Sequence, residues 1–264
     1  MRSHFAVVTA TTLLALFACQ PGASDKPAGP RSPLKSELKK WNNKQCVADT
    51  TCFLMSVSYP ELTGGDSLIR AVIRLDIQDT YRSMIDFEGH YAALPFEQML
   101  DSVFTAMGKS FTDFRTAFPE SAITEWTVNA NGNVPVLNNR IITVEVSTDS
   151  YLGGAHPNYG TSIVSYNLAD GKPLEMADLL ADTSAVLPML QKAYEADKGG
   201  AVADLLFPEF NGKLPLTQNV AVMPQGIRFY YNSYEVAPYA VGPADLLLTW
   251  EQLGDLADRK KLLE

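Results

Sequence analysis

The chain has 264 residues, of which 46% are hydrophobic and 10% aromatic, with 30 acidic against 21 basic side chains and a net charge of −9. That composition suits a packed globule and argues against disorder. The acid excess argues against nucleic acid as a partner, since phosphate binding needs a basic footprint.

The N-terminus reads Met1-Arg2-Ser3-His4, then an apolar run from Phe5 to Phe17, then Ala18-Cys19. A positive start, a short apolar stretch and a small residue before the cut predict a secretory signal over residues 1–18. The run is too short for a spanning helix, which takes ~20 apolar residues. Leu16-Phe17-Ala18-Cys19 resembles the lipobox of bacterial lipoproteins, which implies a fatty acid such as palmitate on Cys19 as the mature N-terminus. The alternative is an ordinary secreted protein with a free thiol at Cys19. A lipidated chain is expected in the cell envelope, anchored to a bacterial membrane and facing the periplasm or the exterior. Residues 19–40 are expected to be the lipidated cysteine and a flexible linker, because Gln20 to Leu34 is rich in Pro, Gly, Ala and Ser and buries too little apolar surface to fold.

Two further cysteines, Cys46 and Cys52, stand in KQCVADTTCFLM. An exported chain keeps disulfides, so they are expected to pair across a tight turn, closing a loop that stabilises by about 2 kcal/mol on the chain-entropy model. A redox dithiol is the alternative, but the spacing is not C-x-x-C. Two cysteines without nearby histidines make a poor zinc site, and no metal or other cofactor is expected.

Phe53, Met55, Val57 and Tyr59 alternate with Leu54, Ser56 and Ser58, predicting a strand that ends at Pro60. Asp66 or Ser67 caps a predicted helix with apolar positions at Ile69, Val72, Ile73, Ile77, Met84 and Ile85. A second helix starts at Pro95 and carries Phe96, Leu100, Val103, Met107, Phe111, Phe114 and Phe118 at threes and fours, a core-facing stripe. From Ile123 the period becomes two, and Asn131-Gly132-Asn133 predicts the turn of a hairpin between Val128 and Ile141. A strand follows over residues 161–168, a turn at Asp170-Gly171, and short helices over residues 175–180 and 183–197. Strands over residues 220–223, 227–231 and 246–250 and a short helix over residues 251–256 finish the chain. The whole predicts an α+β fold: an antiparallel sheet with helices packed on one side, in two intimately joined halves, 41–150 and 151–264.

Three strings then resemble one bacterial family. They are Tyr151-Leu152-Gly153-Gly154-Ala155-His156; Tyr166-Asn167 with Gly171-Lys172-Pro173-Leu174 and Asp178-Leu179; and Phe229-Tyr230-Tyr231-Asn232-Ser233-Tyr234-Glu235-Val236-Ala237-Pro238-Tyr239-Ala240-Val241-Gly242. In this order they look like the extracellular C-terminal domain of RsiV-type anti-sigma factors. Residues 41–150, with the paired cysteines and Tyr59-Pro60, look like the companion domain in the non-catalytic part of PdaC-type peptidoglycan deacetylases. The resemblance implies an envelope setting and, for the RsiV-like part, direct binding of lysozyme. The sequence shows neither a sigma-binding segment nor deacetylase metal ligands, so the expectation is a binding module on a lipid, its partner a lysozyme-like protein or peptidoglycan.

The candidate binding surface is Tyr151, Gly153, Gly154, His156, Tyr230, Tyr234, Glu235 and Tyr239, because glycines expose backbone and tyrosines make good anchors. His156 has no second histidine at ligand spacing and reads best as a residue that pins a turn. Glu235 among tyrosines offers the chemistry of a sugar site, and a wall-glycan hydrolase using it is the alternative function. Such an enzyme needs a second carboxylate, Asp245 or Glu251, across the cleft; no catalytic residue is assigned. One prediction follows from the lipobox-like string: Cys19→Ala abolishes incorporation of labelled fatty acid and releases the protein from membranes, and unchanged fractionation of the variant would refute the anchor.

Overall fold

The computed structural model describes residues 32–86 and 88–264. The expected signal, Cys19 and the expected linker as far as residue 31 lie outside the described residues. Strand β1 (Lys35–Ala48) takes in the last residues of the expected linker and pairs antiparallel with β2 (Thr51–Thr63). Cys46 and Cys52 face each other across this hairpin and are joined in a disulfide. Strand β2 runs past Pro60 rather than ending there. Its pairing with the next strand on its other side stops at Ser58, so the missing proline N–H leaves no rung of that ladder unmade.

The chain next forms α1 (Ser67–Ile85) and α2 (Phe96–Ala117). Asp66 caps α1 by accepting from the N–H groups of Leu68 and Ile69. Ile73, Ile77, Tyr81 and Ile85 of α1 and Phe96, Met99, Leu100, Val103 and Phe111 of α2 are buried, whereas Val72 is exposed. Both helices lie within the connection from β2 to β3 (Glu125–Leu137), and that connection makes β2 and β3 parallel. The first sheet is therefore mixed rather than wholly antiparallel. Its order is β1-β2-β3-β4-β5, with β4 (Ile141–Tyr151) and β5 (Asn158–Asn167) both antiparallel to their neighbours. Strand β5 comes from the predicted second half, yet it completes the sheet of the first.

Asn131-Gly132-Asn133 is not a turn but the middle of β3. A Cβ on Gly132 would stand 2.3 Å from the Tyr81 hydroxyl and 2.8 Å from Pro60 Cδ. The glycine is there for close approach, and the buried Tyr81 hydroxyl donates across it to the Ser58 carbonyl (2.6 Å). The β3–β4 turn falls instead at Asn138, whose Oδ1 accepts from the N–H groups of Arg140 and Ile141 at 2.7 and 2.8 Å.

After β5 come α3 (Met176–Leu179), α4 (Thr183–Lys198) and α5 (Val202–Leu205). A second sheet follows, ordered β6-β7-β8 (Val220–Met223, Gly226–Tyr231, Ala244–Thr249), and then α6 (Trp250–Leu253) and α7 (Arg259–Leu263). Two cores result. One lies between α1, α2 and the first sheet; the other joins Val186, Leu190 and Tyr194 of α4 to Val222, Phe229, Tyr231 and Leu246. The α+β class stands, with α1 and α2 on one face of the first sheet.

Gly132→Ala should overpack this seam and lower stability by about 1–3 kcal/mol. Adding Tyr81→Phe, which removes the atom the new methyl strikes, should recover part of that loss. Urea unfolding of the two single variants and the double variant measures the coupling; additive losses would refute the contact.

Candidate functional site: an aromatic patch where the two sheets meet

Sheet edges leave backbone groups in need of partners, and the outer edge of β5 finds them in two side chains. Asn219, just before β6, accepts from the Ile163 N–H (2.8 Å) and donates to the Thr161 carbonyl (2.7 Å). Asn232, just after β7, accepts from the Thr161 N–H (2.7 Å) and donates to the same carbonyl (3.0 Å). Deeper in, the Ser165 hydroxyl accepts from the Val222 N–H (2.9 Å), and the Thr143 hydroxyl donates to the Val222 carbonyl (2.8 Å). These bonds fix the loop after β7 beside the loop before β5.

Glu235 closes that loop. Its Oε2 accepts from the Asn232 N–H (2.8 Å), and its own N–H donates to the Asn232 carbonyl (3.1 Å). Its Oε1 lies 2.9 Å from the Thr217 hydroxyl, which also stands 3.1 Å from the Tyr230 carbonyl and accepts from the Asn219 N–H. With one proton to give, Thr217 serves the carboxylate, the nearer and charged partner. Asp245, one of the two carboxylates considered opposite Glu235 in a hydrolase, instead takes Arg228 Nε and Nη2 at 2.7 and 2.8 Å. Arg228 also reaches Glu145 on β4 (2.9 Å). Burial works to lower the Arg228 pKa, but the hydrogen bonds and charges of Asp245 and Glu145 outweigh it and hold the guanidinium above its ordinary value.

The turn gripped by Glu235 presents Tyr234 outward, 57% exposed, with φ at +67°. A side chain in the left-handed region costs about 1–2 kcal/mol, and such strain concentrates at functional positions. Tyr239 lies 5.6 Å from Tyr234 between ring centroids and stacks on His156 at 3.8 Å, with the planes 18° apart. The Tyr239 hydroxyl donates to the Pro157 carbonyl (2.8 Å), and His156 Nδ1 lies 2.9 Å from the same oxygen. A carbonyl only accepts, so Nδ1 carries a proton, and in the neutral ring Nε2 is left as an acceptor. Burial, then the neighbouring Tyr159 and Tyr234, raise the Tyr239 pKa. Tyr159, 52% exposed, completes the patch.

Two of the resembling strings are thus brought together through His156, Tyr234 and Tyr239. Tyr230 stands apart on β7, its ring 5.5 Å from the Arg228 guanidinium, and Tyr231 is buried in the second core. Tyr151 pairs with Thr127 at the end of β4. Gly153, at φ +83°, backs onto Trp126, where a Cβ would meet Nε1 at 3.0 Å; Gly154 is exposed. Sequence reasoning missed Asn219 and Thr217, polar residues in loops with no motif to mark them, and did not single out Asn232 although it stands in the third string. Tyr159 lies just past the string that ends at His156 and was not singled out either.

Asn232→Ala should leave the buried Thr161 N–H without a partner and destabilise by about 1–3 kcal/mol. Asn232→Asp should cost less, because the acceptor remains and Asn219 still serves the Thr161 carbonyl. Urea unfolding together with amide exchange at Thr161 checks both; equal losses in the two variants would refute the role of the acceptor.

Residues 177–251 match the family described as protein of unknown function DUF3298. No match to a curated protein was found. A crystallised DUF3298 family member from Bacteroides fragilis is similar to 87% of this chain over 96% of its own, with a TM-score of 0.65 at 20% identity. Another, from Pseudomonas aeruginosa, is similar to 88% of this chain over 98% of its own, with a TM-score of 0.57 at 17% identity. At such identities the likeness is one of fold. The chain thus carries a DUF3298 match over residues 177–251, within a fold shared with two crystallised members of that family.

Proposed function

We propose that this chain is a lipid-anchored envelope protein whose folded region is a non-catalytic module that binds the glycan of peptidoglycan. The observation that carries the reading is the patch itself: Tyr159, Tyr234 and a Tyr239–His156 stack on a frame of hydrogen bonds. Aromatic faces beside fixed polar groups suit a sugar ring, and pre-organisation spares the ordering cost of binding. Glu235 supports binding over hydrolysis, because its two oxygens are taken by the Asn232 N–H and the Thr217 hydroxyl, and Asp245 is committed to Arg228.

The likeness of the strings to RsiV-type and PdaC-type envelope domains agrees with this setting. A second reading, capture of a lysozyme-like protein, is favoured by the net charge of −9, which attracts a basic enzyme and makes association salt-sensitive.

The soluble Cys19→Ala form, incubated with purified peptidoglycan, should sediment with it and release no soluble sugar. Tyr234→Ala should weaken that binding about tenfold without lowering the melting temperature, since the ring is exposed. Binding to lysozyme alone would favour the second reading. Glycan cleavage that disappears in Glu235→Gln would replace both with a hydrolase.

A further inference from the structure

The sheet face that carries Tyr159 also carries a row of short polar side chains running to the far edge of the sheet. Register sets Asn42 opposite Ser56, Ser56 opposite Asn129, Asn129 opposite Asp149, and Asp149 opposite Tyr159. One position is taken from each of the five strands. The side chains share the face: Ser56 Oγ donates to Asn42 Oδ1 (2.7 Å), and Asn129 Nδ2 donates to Asp149 Oδ2 (2.8 Å). Helices α1 and α2 pack on the other face, against Phe53, Met55, Val57 and Val128. The second sheet joins this face over Thr143 and Glu145 of β4 and over Thr161, Ile163 and Ser165 of β5, so along β5 the junction begins two residues beyond Tyr159. Asn42 and Tyr159 are exposed, and the three residues between them are half-buried.

Four strand spacings of ~4.8 Å make the row about 19 Å long. That length suits an oligosaccharide rather than one sugar. The two amides and the hydroxyls offer donors and acceptors together, and the Asp149 carboxylate, held by Asn129, adds an acceptor, the mixture that sugar hydroxyls and N-acetyl groups require. Short side chains on a hydrogen-bonded sheet also lose little rotamer freedom when a ligand settles on them. At the β1 end, Lys40 and Lys44 flank Asn42 on the same side of the strand, are exposed, and make no ion pair among the described residues. They place positive charge at one end of the row in an otherwise acidic chain, complementary to the carboxylates borne by peptidoglycan.

We infer that this row is an extended glycan track: an anionic, N-acetylated glycan strand lies across the first sheet from Lys40 and Lys44 to Tyr159, where it meets the aromatic patch. The inference rests on the glycan reading of that patch and adds a second binding region, about as wide as the sheet, that reads chain length and carboxylate.

Calorimetry on the Cys19→Ala form with a peptidoglycan disaccharide and a longer glycan oligomer tests it. The unaltered face should bind the oligomer at least about tenfold more tightly than the disaccharide. Asn129→Ala and Asn42→Ala should each erode that gain while leaving disaccharide affinity as it was; Asn42 lies on an exposed edge strand, so loss of fold does not confuse the result. Lys40→Glu with Lys44→Glu should weaken the native oligomer but not a carboxyl-reduced one. If both asparagine variants keep the full preference for the oligomer while Tyr234→Ala loses both ligands, the track is overturned and the patch stands. If neither ligand binds the unaltered face, the glycan reading of the patch fails and the track fails with it.

Discussion

The outer edge of β5 is the constraint on which the rest of the molecule hangs. A strand edge presents alternate N–H and C=O groups, and leaving them buried without partners costs more than any one packing contact returns. Here the edge is not continued by a sixth strand. Two asparagine amides, each with a donor and an acceptor on one plane, imitate the peptide groups of a missing neighbour. Because one asparagine precedes β6 and the other follows β7, satisfying this edge also docks the second sheet. Arg228 reinforces the junction from the other side by bridging Glu145 on β4 and Asp245 on β8.

The same junction explains where the aromatic patch stands. Asn232 and Glu235 grip the ends of a four-residue turn, and the turn holds Tyr234 in a conformation it would not choose alone. Tyr239 and His156 come from segments more than eighty residues apart, yet both bind the Pro157 carbonyl. The patch is assembled by the docking of the sheets and has no existence in either part separately.

Much of the fold was legible in the sequence because burial imposes periodicity. The stripe from Phe96 to Phe111 and the alternation from Phe53 to Tyr59 are direct records of which side faces the core. The disulfide was legible from the spacing of the two cysteines and the expectation of an export signal. The parallel pairing of β2 and β3 was not, since residues 64–124 read the same whether the chain returns beside β2 or elsewhere. Gly132 misled for a related reason: an Asn-Gly pair is a good turn signal, and only the distant Tyr81 and Pro60 reveal that the glycine makes room. At the site, the glycine- and tyrosine-rich strings pointed to the two loops that form the aromatic patch. They could not say which tyrosines face outward, because Tyr230, Tyr231 and Tyr234 differ only in how β7 and its turn happen to aim them.

The first hairpin has a mechanical meaning. A pull applied at the N-terminal end of β1 would enter the fold at Lys35, where β1 meets the far end of β2 at Thr63. Pulled from that end, an edge strand peels like a zipper, one rung after another, which is the weak direction for a sheet. The covalent link at Cys46–Cys52 sits at the opposite end of the hairpin, so peeling would halt there and the load would cross the disulfide to Cys52, where β2 begins its pairing with β3. Beyond it the remaining four strands, β2 to β5, would stay paired, so only the β1 rungs would be exposed to the pull.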